Sequence, residues 1–118
     1  MRAHREVLTG WLLLMLDRGP TYGYELHREL EVKGVDVDPA MLYRTLRRLE
    51  SYGWVESRWM EPVAGPRRRF YRLTPRGRRK LEEVAGLITA IRDFHDAFVQ
   101  AYAAAELAHP VPADEPPE

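Results

Sequence analysis

Apolar residues recur at helical spacing in four parts of this chain, and two further stretches read as strands. From Val7 to Leu16 leucines are so dense that a helix there is apolar on more than one face. Burying such a helix takes more than one small domain usually offers, which points to a partner subunit. Asp17-Arg18-Gly19-Pro20 breaks the run. Thr21 can cap a second helix from Tyr22 to about Lys33, with Tyr22, Leu26 and Leu30 on one face. Gly23 in its first turn costs about 1 kcal/mol of helix propensity relative to alanine, so it marks a close helix crossing. Gly34-Val35-Asp36-Val37 is the turn that follows.

Asp38-Pro39 is an N-cap acceptor followed by a proline at the first helical position. Leu42, Leu46 and Leu49 then form one apolar stripe, while Ala40, Tyr43, Arg44, Arg47, Arg48 and Ser51 occupy the opposite face. Gly53 stops this helix. Val55 to Met60 and Arg67 to Leu73 read as two strands joined by the turn-rich Glu61-Pro62-Val63-Ala64-Gly65-Pro66. A helix with a basic outer face followed by a hairpin with a basic tip is the layout of a winged helix-turn-helix, and the chemistry it suggests is DNA binding.

Thr74-Pro75 repeats the cap-plus-proline signature and opens the longest helix, to about Ala105. Leu81, Val84, Ile88, Ile91, His95, Phe98 and Tyr102 alternate spacings of three and four, a heptad seam. So long a seam exceeds what a small domain can cover, and dimerisation through this helix is the natural outlet. After Leu107 the composition turns to Pro, Ala, Asp and Glu, as in a disordered tail.

Charge changes the picture more than composition does. The 118 residues carry no net charge, which alone argues against a nucleic-acid partner. Between Pro39 and Lys80, however, twelve basic residues face three glutamates, a local excess of nine. Concentrated in one segment, that excess is the electrostatic footprint of phosphate contact. Cysteine is absent, which removes disulfides, thiolate metal sites and cysteine nucleophiles. Neither a secretion signal nor a membrane span is evident, consistent with a cytoplasmic protein. His4, His27, His95 and His109 lack ligand spacing. No glycine-rich phosphate loop, nucleophile elbow or acid–base cluster supports catalysis, and no cofactor is implied.

The candidate DNA residues each have a plainer reading. Arg44 and Arg47 suit base edges or phosphates, because arginine bonds guanine bidentately; otherwise they form a solvated helix face. Tyr43 either touches DNA or packs on the second helix. Arg67, Arg68 and Arg69 cannot all point one way on a strand, so Arg68 faces opposite to the other two. One or two of them should reach phosphate while another pairs with Glu61 or Glu56. Arg76, Arg78, Arg79 and Lys80 sit where the helix dipole disfavours cations, which suggests an external anion or a solvated basic turn. Trp11, Phe94, Phe98 and Tyr102 could line a flat-ligand cavity at the dimer interface, or simply pack there. His95, between Asp93 and Asp96, is either a pH-sensitive element or a register-setting polar position.

The segments Tyr22-Gly23-Tyr24-Glu25-Leu26, Leu42-Tyr43-Arg44-Thr45-Leu46-Arg47-Arg48-Leu49-Glu50 and Arg69-Phe70-Tyr71-Arg72-Leu73-Thr74-Pro75-Arg76-Gly77 resemble the PadR family of bacterial transcriptional regulators, over about Val7 to Tyr102. The resemblance implies a homodimeric winged-helix repressor whose third helix enters the major groove, whose wing touches backbone or minor groove, and whose C-terminal helix forms the dimer. Family members often release DNA on binding a small aromatic or drug-like ligand, with phenolic acids the founding example. Tyr43 matches the family's recognition-helix tyrosine, and Arg67, Arg68 and Arg69 match its basic wing. A single C-terminal helix resembles the compact branch, some members of which stack flat drugs on a tryptophan there. Here the helix carries Phe94, Phe98 and Tyr102 and no tryptophan.

The expectation is therefore a mainly α winged helix-turn-helix over residues 1–74, a dimerisation helix over 75–107 and an acidic tail over 108–118. The DNA-facing set is Ala40, Tyr43, Arg44, Arg47, Arg48, Arg67, Arg68 and Arg69, with Trp11, Phe94 and Phe98 for an aromatic effector. An inverted-repeat operator would present half-sites about one helical turn apart, roughly 34–36 Å. The competing reading is a winged ligand-sensing or protein-interaction module that does not read DNA, which would have no need of arginine on both helix and wing.

Overall fold

The computed structural model describes residues 5–61, 65, 67–110 and 112. They form α1 (Arg5–Asp17), β1 (Thr21–Tyr22), α2 (Gly23–Val32), α3 (Pro39–Ser51), β2 (Val55–Met60), β3 (Arg68–Leu73) and α4 (Pro75–Ala108). Contacts divide the chain into one unit spanning 1–85 and another spanning 86–118.

The first unit is a winged helix-turn-helix. Leu8, Leu12, Leu13 and Leu16 of α1 are buried together with Leu26 and Leu30 of α2, Leu42, Leu46 and Leu49 of α3, and Val55 and Tyr71 of the sheet. Burial of each such leucine contributes about 1.5–3 kcal/mol, so this cluster dominates the stability of the unit. The apolar faces of α1 are met largely within the chain: Leu14 stands 45% exposed, while Trp11 is partly buried with Lys33 Nζ 5.2 Å from its ring centre.

Thr21-Tyr22 departs from the sequence expectation. Rather than capping and starting α2, these residues form β1 and pair with Tyr71 and Phe70 of β3. The Tyr22 ring lies 5.0 Å from that of Phe70, and this aromatic contact across the strands outweighs the weak local preference for a cap. The sheet order is β1-β3-β2, antiparallel throughout, with Trp59 opposite Arg69 and Met60 opposite Arg68.

The boundaries of α3 follow from its end residues. Asp38 Oδ1 accepts from Met41 N at 2.8 Å, and Pro39 opens the first turn. At the other end Gly53 adopts φ +77°, Trp54 N donates to Leu49 O at 3.0 Å, and Gly53 N donates to Glu50 O at 2.9 Å. This pair of bonds is a Schellman closure, which requires the left-handed residue that glycine supplies.

The start of α4 is clamped onto that same turn. Thr74 N donates to Trp54 O at 3.1 Å, while Thr74 Oγ1 donates to Gly53 O at 2.6 Å and accepts from Gly77 N at 3.0 Å. Gly77 is buried so deeply that a Cβ there would lie 2.7 Å from Leu73 Cδ1 and closer still to the Trp54 carbonyl oxygen. Leu81 and Val84 are buried as well. These two seam positions therefore serve the first unit, because the helix crosses the turn too closely to leave them open, and the compact unit runs to residue 85 rather than ending at residue 74.

The second unit is the rest of α4. Leu87, Ile91, Phe94, Phe98 and Tyr102 are exposed along it, and Ile88 is half-buried. The helix ends at Ala108, a turn beyond the expected residue 105. Most of the expected tail, 111 and 113–118, lies outside the described residues, as do Pro62, Val63, Ala64 and Pro66 of the wing turn.

Candidate nucleic-acid interface

The open face of α3 carries the residues that its stripe leaves outward. Ala40, Tyr43, Arg44 and Arg47 are exposed, and Arg48 is half-buried at the margin. Thr45, buried among the leucines, satisfies its hydroxyl by donating to Met41 O at 2.8 Å. Among the described residues, none of Arg44, Arg47 and Arg48 has a carboxylate within ion-pair distance. Three unneutralised guanidiniums on one exposed helix face repel one another, and an external polyanion relieves that repulsion.

Tyr43 packs on the second helix and keeps part of its ring exposed. Its ring lies against Gly23, where an added Cβ would fall 2.6 Å from Cε1, yet the residue remains 37% exposed. Gly23 is thus the close approach of α2 to α3, and it fixes where the phenol emerges beside Arg47.

The wing divides its arginines. Arg67 Nε pairs with Glu61 Oε1 at 2.9 Å. Arg69 points inward, on the same face of β3 as buried Tyr71: its Nε donates to Ser57 Oγ at 2.8 Å and its Nη2 lies 3.6 Å from Glu50 Oε1. Ser57 completes the link, donating from its backbone N (3.0 Å) and hydroxyl (2.7 Å) to the Glu50 carboxylate. Glu50 belongs to α3, so this relay ties wing to recognition helix. Arg72 pairs with Glu56 at 2.7 Å. Arg68 faces the other way, as strand alternation dictates, and is exposed without a carboxylate partner; its guanidinium sits 5.9 Å from the ring centre of Tyr22.

Two contributors escaped the sequence reading. Trp59, 51% exposed, lies under the guanidiniums of Arg67 and Arg69 at 5.3 and 5.2 Å. Arg58 is exposed on the outer face and unpaired among the described residues. Strand register, which places Trp59 opposite Arg69, was the signal that would have found the first. Between the start of α2, the outer face of α3 and the start of β3 lies a cleft of about 460 Å³. Its aromatic walls are Tyr22, Tyr24, Tyr43, Trp59 and Tyr71, and its cations are Arg47 and the wing arginines. Burial pushes the Tyr71 phenol above its ordinary value of 10.0, Arg69 opposing and Glu50 reinforcing the shift, so the hydroxyl stays neutral. No cluster among the described residues could hold a metal, and no described helix is long and apolar enough to cross a membrane.

Residues 12–83 match the model of the "Transcriptional regulator PadR-like family". The chain belongs to this family. It is a PadR-like transcriptional regulator with the winged-helix fold, as its relatives agree. The transcriptional regulator Rv3488 of Mycobacterium tuberculosis is 45% identical over 62 residues, covering 52% of this chain and 57% of that protein. A PadR family transcriptional regulator from Eggerthella lenta superposes with a TM-score of 0.71 at 34% identity, over 78% of this chain and 80% of that one. A protein from Streptococcus mutans reaches 0.76 at 21% identity, over 85% and 92%, a likeness of fold. In this PadR-like chain the family match covers both the arginines of α3 and those of the wing.

Proposed function

We propose that this PadR-like chain is a homodimeric repressor, acting in the cytoplasm, whose α3 reads an inverted-repeat operator. The observation that carries the proposal is the unpaired set Arg44, Arg47 and Arg48 on the open face of α3, beside a wing that adds unpaired Arg68. Arg44 supplies base readout, while Arg47 and Tyr43, with Ala40 permitting close approach, set the register on the backbone. Dimerisation uses the exposed stripe of α4 from Leu87 through Ile91, Phe94, Phe98 and Tyr102, with His95 on the same seam; Leu81 and Val84 have no part in it. Release by a small aromatic effector completes the proposal, with Phe94 and Phe98 offering exposed rings.

Fluorescence anisotropy with DNA from upstream of the protein's own gene, beside a scrambled duplex and at low and near-physiological salt, tests the reading. Binding that survives salt only on the upstream duplex is the expected result. Arg44→Ala should reduce discrimination between the two by about 1–3 kcal/mol. An unchanged ratio would remove Arg44 from base readout, and weak binding to both duplexes that vanishes with salt would remove the operator assignment.

A further inference from the structure

The cleft between α2, α3 and β3 has a composition that DNA backbone contact alone does not require. Phosphates call for cations, and a packed interface calls for apolar groups. This cleft interleaves the two: guanidiniums of Arg67 and Arg69 lie over the Trp59 indole at 5.3 and 5.2 Å, and that of Arg68 lies 5.9 Å from the Tyr22 ring. Rings with guanidiniums lying over them are the chemistry by which proteins hold an unstacked nucleobase together with its phosphate. The charge is equally informative. Glu61 and Glu50 neutralise Arg67 and Arg69, leaving Arg47 and Arg68 as the two uncompensated cations of the cleft. Two free guanidiniums match a dianion, and a phosphate monoester carries close to two charges at neutral pH. The volume, about 460 Å³, lies within the range of small-molecule sites, roughly 300–1,000 Å³.

We propose that this cleft binds a nucleoside monophosphate, its base stacked on Trp59 and its phosphate on Arg47 and Arg68, and that the bound nucleotide excludes DNA from the recognition helix. The exclusion rests on the DNA-binding reading above, because Tyr43 and Arg47 belong to both surfaces. The site itself stands without that reading.

Isothermal titration of the full chain with guanosine monophosphate, in the absence of DNA, measures the site directly; guanosine and inorganic phosphate serve as the two half-ligands. The nucleotide should bind saturably, and each half-ligand at least tenfold more weakly, on the order expected for losing a charged contact or a stacked base. Arg68→Ala and Trp59→Ala, both at exposed positions, should each weaken the nucleotide by on the order of tenfold with the melting temperature kept. Equal binding of nucleotide and inorganic phosphate would overturn the proposal, as would full affinity in both variants. An aromatic carboxylate such as benzoate binding as tightly as the nucleotide would overturn the phosphate assignment. In a second arm the nucleotide should displace labelled operator competitively. Nucleotide and DNA bound together would overturn the exclusion, whereas a chain that binds the nucleotide and no DNA would leave the site intact and refute the regulator reading.

Discussion

Arg68 and Arg69 are neighbours in sequence with opposite assignments, and replacing each singly by alanine separates them. Arg68 is exposed and free of carboxylates. Arg69 is committed to Ser57 Oγ at 2.8 Å and to Glu50 at 3.6 Å. A phosphate contact contributes about 0.9 to the slope of log K against log salt. Losing Arg68 should therefore flatten the slope by close to that amount, so that the affinity advantage of 50 mM over 200 mM salt shrinks by about 3.5-fold. Losing Arg69 should leave the slope nearly unchanged, because its charge is already neutralised within the protein.

Stability should move the opposite way. Arg69→Ala strips the half-buried Glu50 carboxylate of a charged partner, although Ser57 N and Oγ still serve it. With side chains 39% and 31% exposed, solvent screening limits the cost to about 1 kcal/mol. For a unit of this size, 1 kcal/mol corresponds to about 4–8 °C in melting temperature. Arg68→Ala should cost almost nothing. Salt-dependent anisotropy and thermal melts of the same two preparations give all four numbers. Equal slope changes, or a larger one for Arg69, would refute the division of the wing arginines.

Three further outcomes follow from the geometry. Gly77→Ala forces a methyl against the Trp54 carbonyl and Leu73; overpacking against backbone should cost about 3 kcal/mol, read as a lowered urea midpoint with an unchanged m-value. Tyr71 is raised above 10.0 by burial, so the neutral phenol stabilises the fold fully below pH 10 and that stability is lost as pH rises through the folded value. Melts between pH 9 and 11 should fall more steeply for the natural chain than for Tyr71→Phe, and parallel curves would count against it. Phe98→Glu puts a charge on the proposed dimer face and should shift the sedimenting species to the monomer while leaving the circular dichroism spectrum intact.

The fold was legible where local signals and tertiary packing agree. Asp38-Pro39 and Gly53 delimit α3 within two residues of its observed ends, because capping and the left-handed closure are properties of the residues themselves. Thr21-Tyr22 shows the converse. Its cap-like chemistry is genuine, but β3, fifty residues away, offers two backbone pairings and an aromatic contact that no local pattern reveals. The heptad seam misled in its first two positions for a related reason. Spacing places Leu81 and Val84 on a face without telling what meets that face, and the answer was set by Gly77, whose missing side chain lets α4 settle onto the Trp54 turn.

The same limit governs the charge argument. A local excess of nine treats every arginine as available, yet the three glutamates of the segment each take one wing arginine: Glu50 holds Arg69, Glu56 holds Arg72 and Glu61 holds Arg67. Acids on either side, Asp17, Glu82 and Glu83, take Arg78 and Lys80. Arg44, Arg47, Arg48, Arg58, Arg68, Arg76 and Arg79 are left without such a partner among the described residues. The net charge counts the cations correctly but not their neighbours, and phosphate affinity depends on the neighbours. The Glu50–Arg69 pair braces the wing against α3, where the free guanidiniums stand, and the other two pairs lie within the hairpin, so the salt slope should report the unpaired set and the melting temperature the paired one.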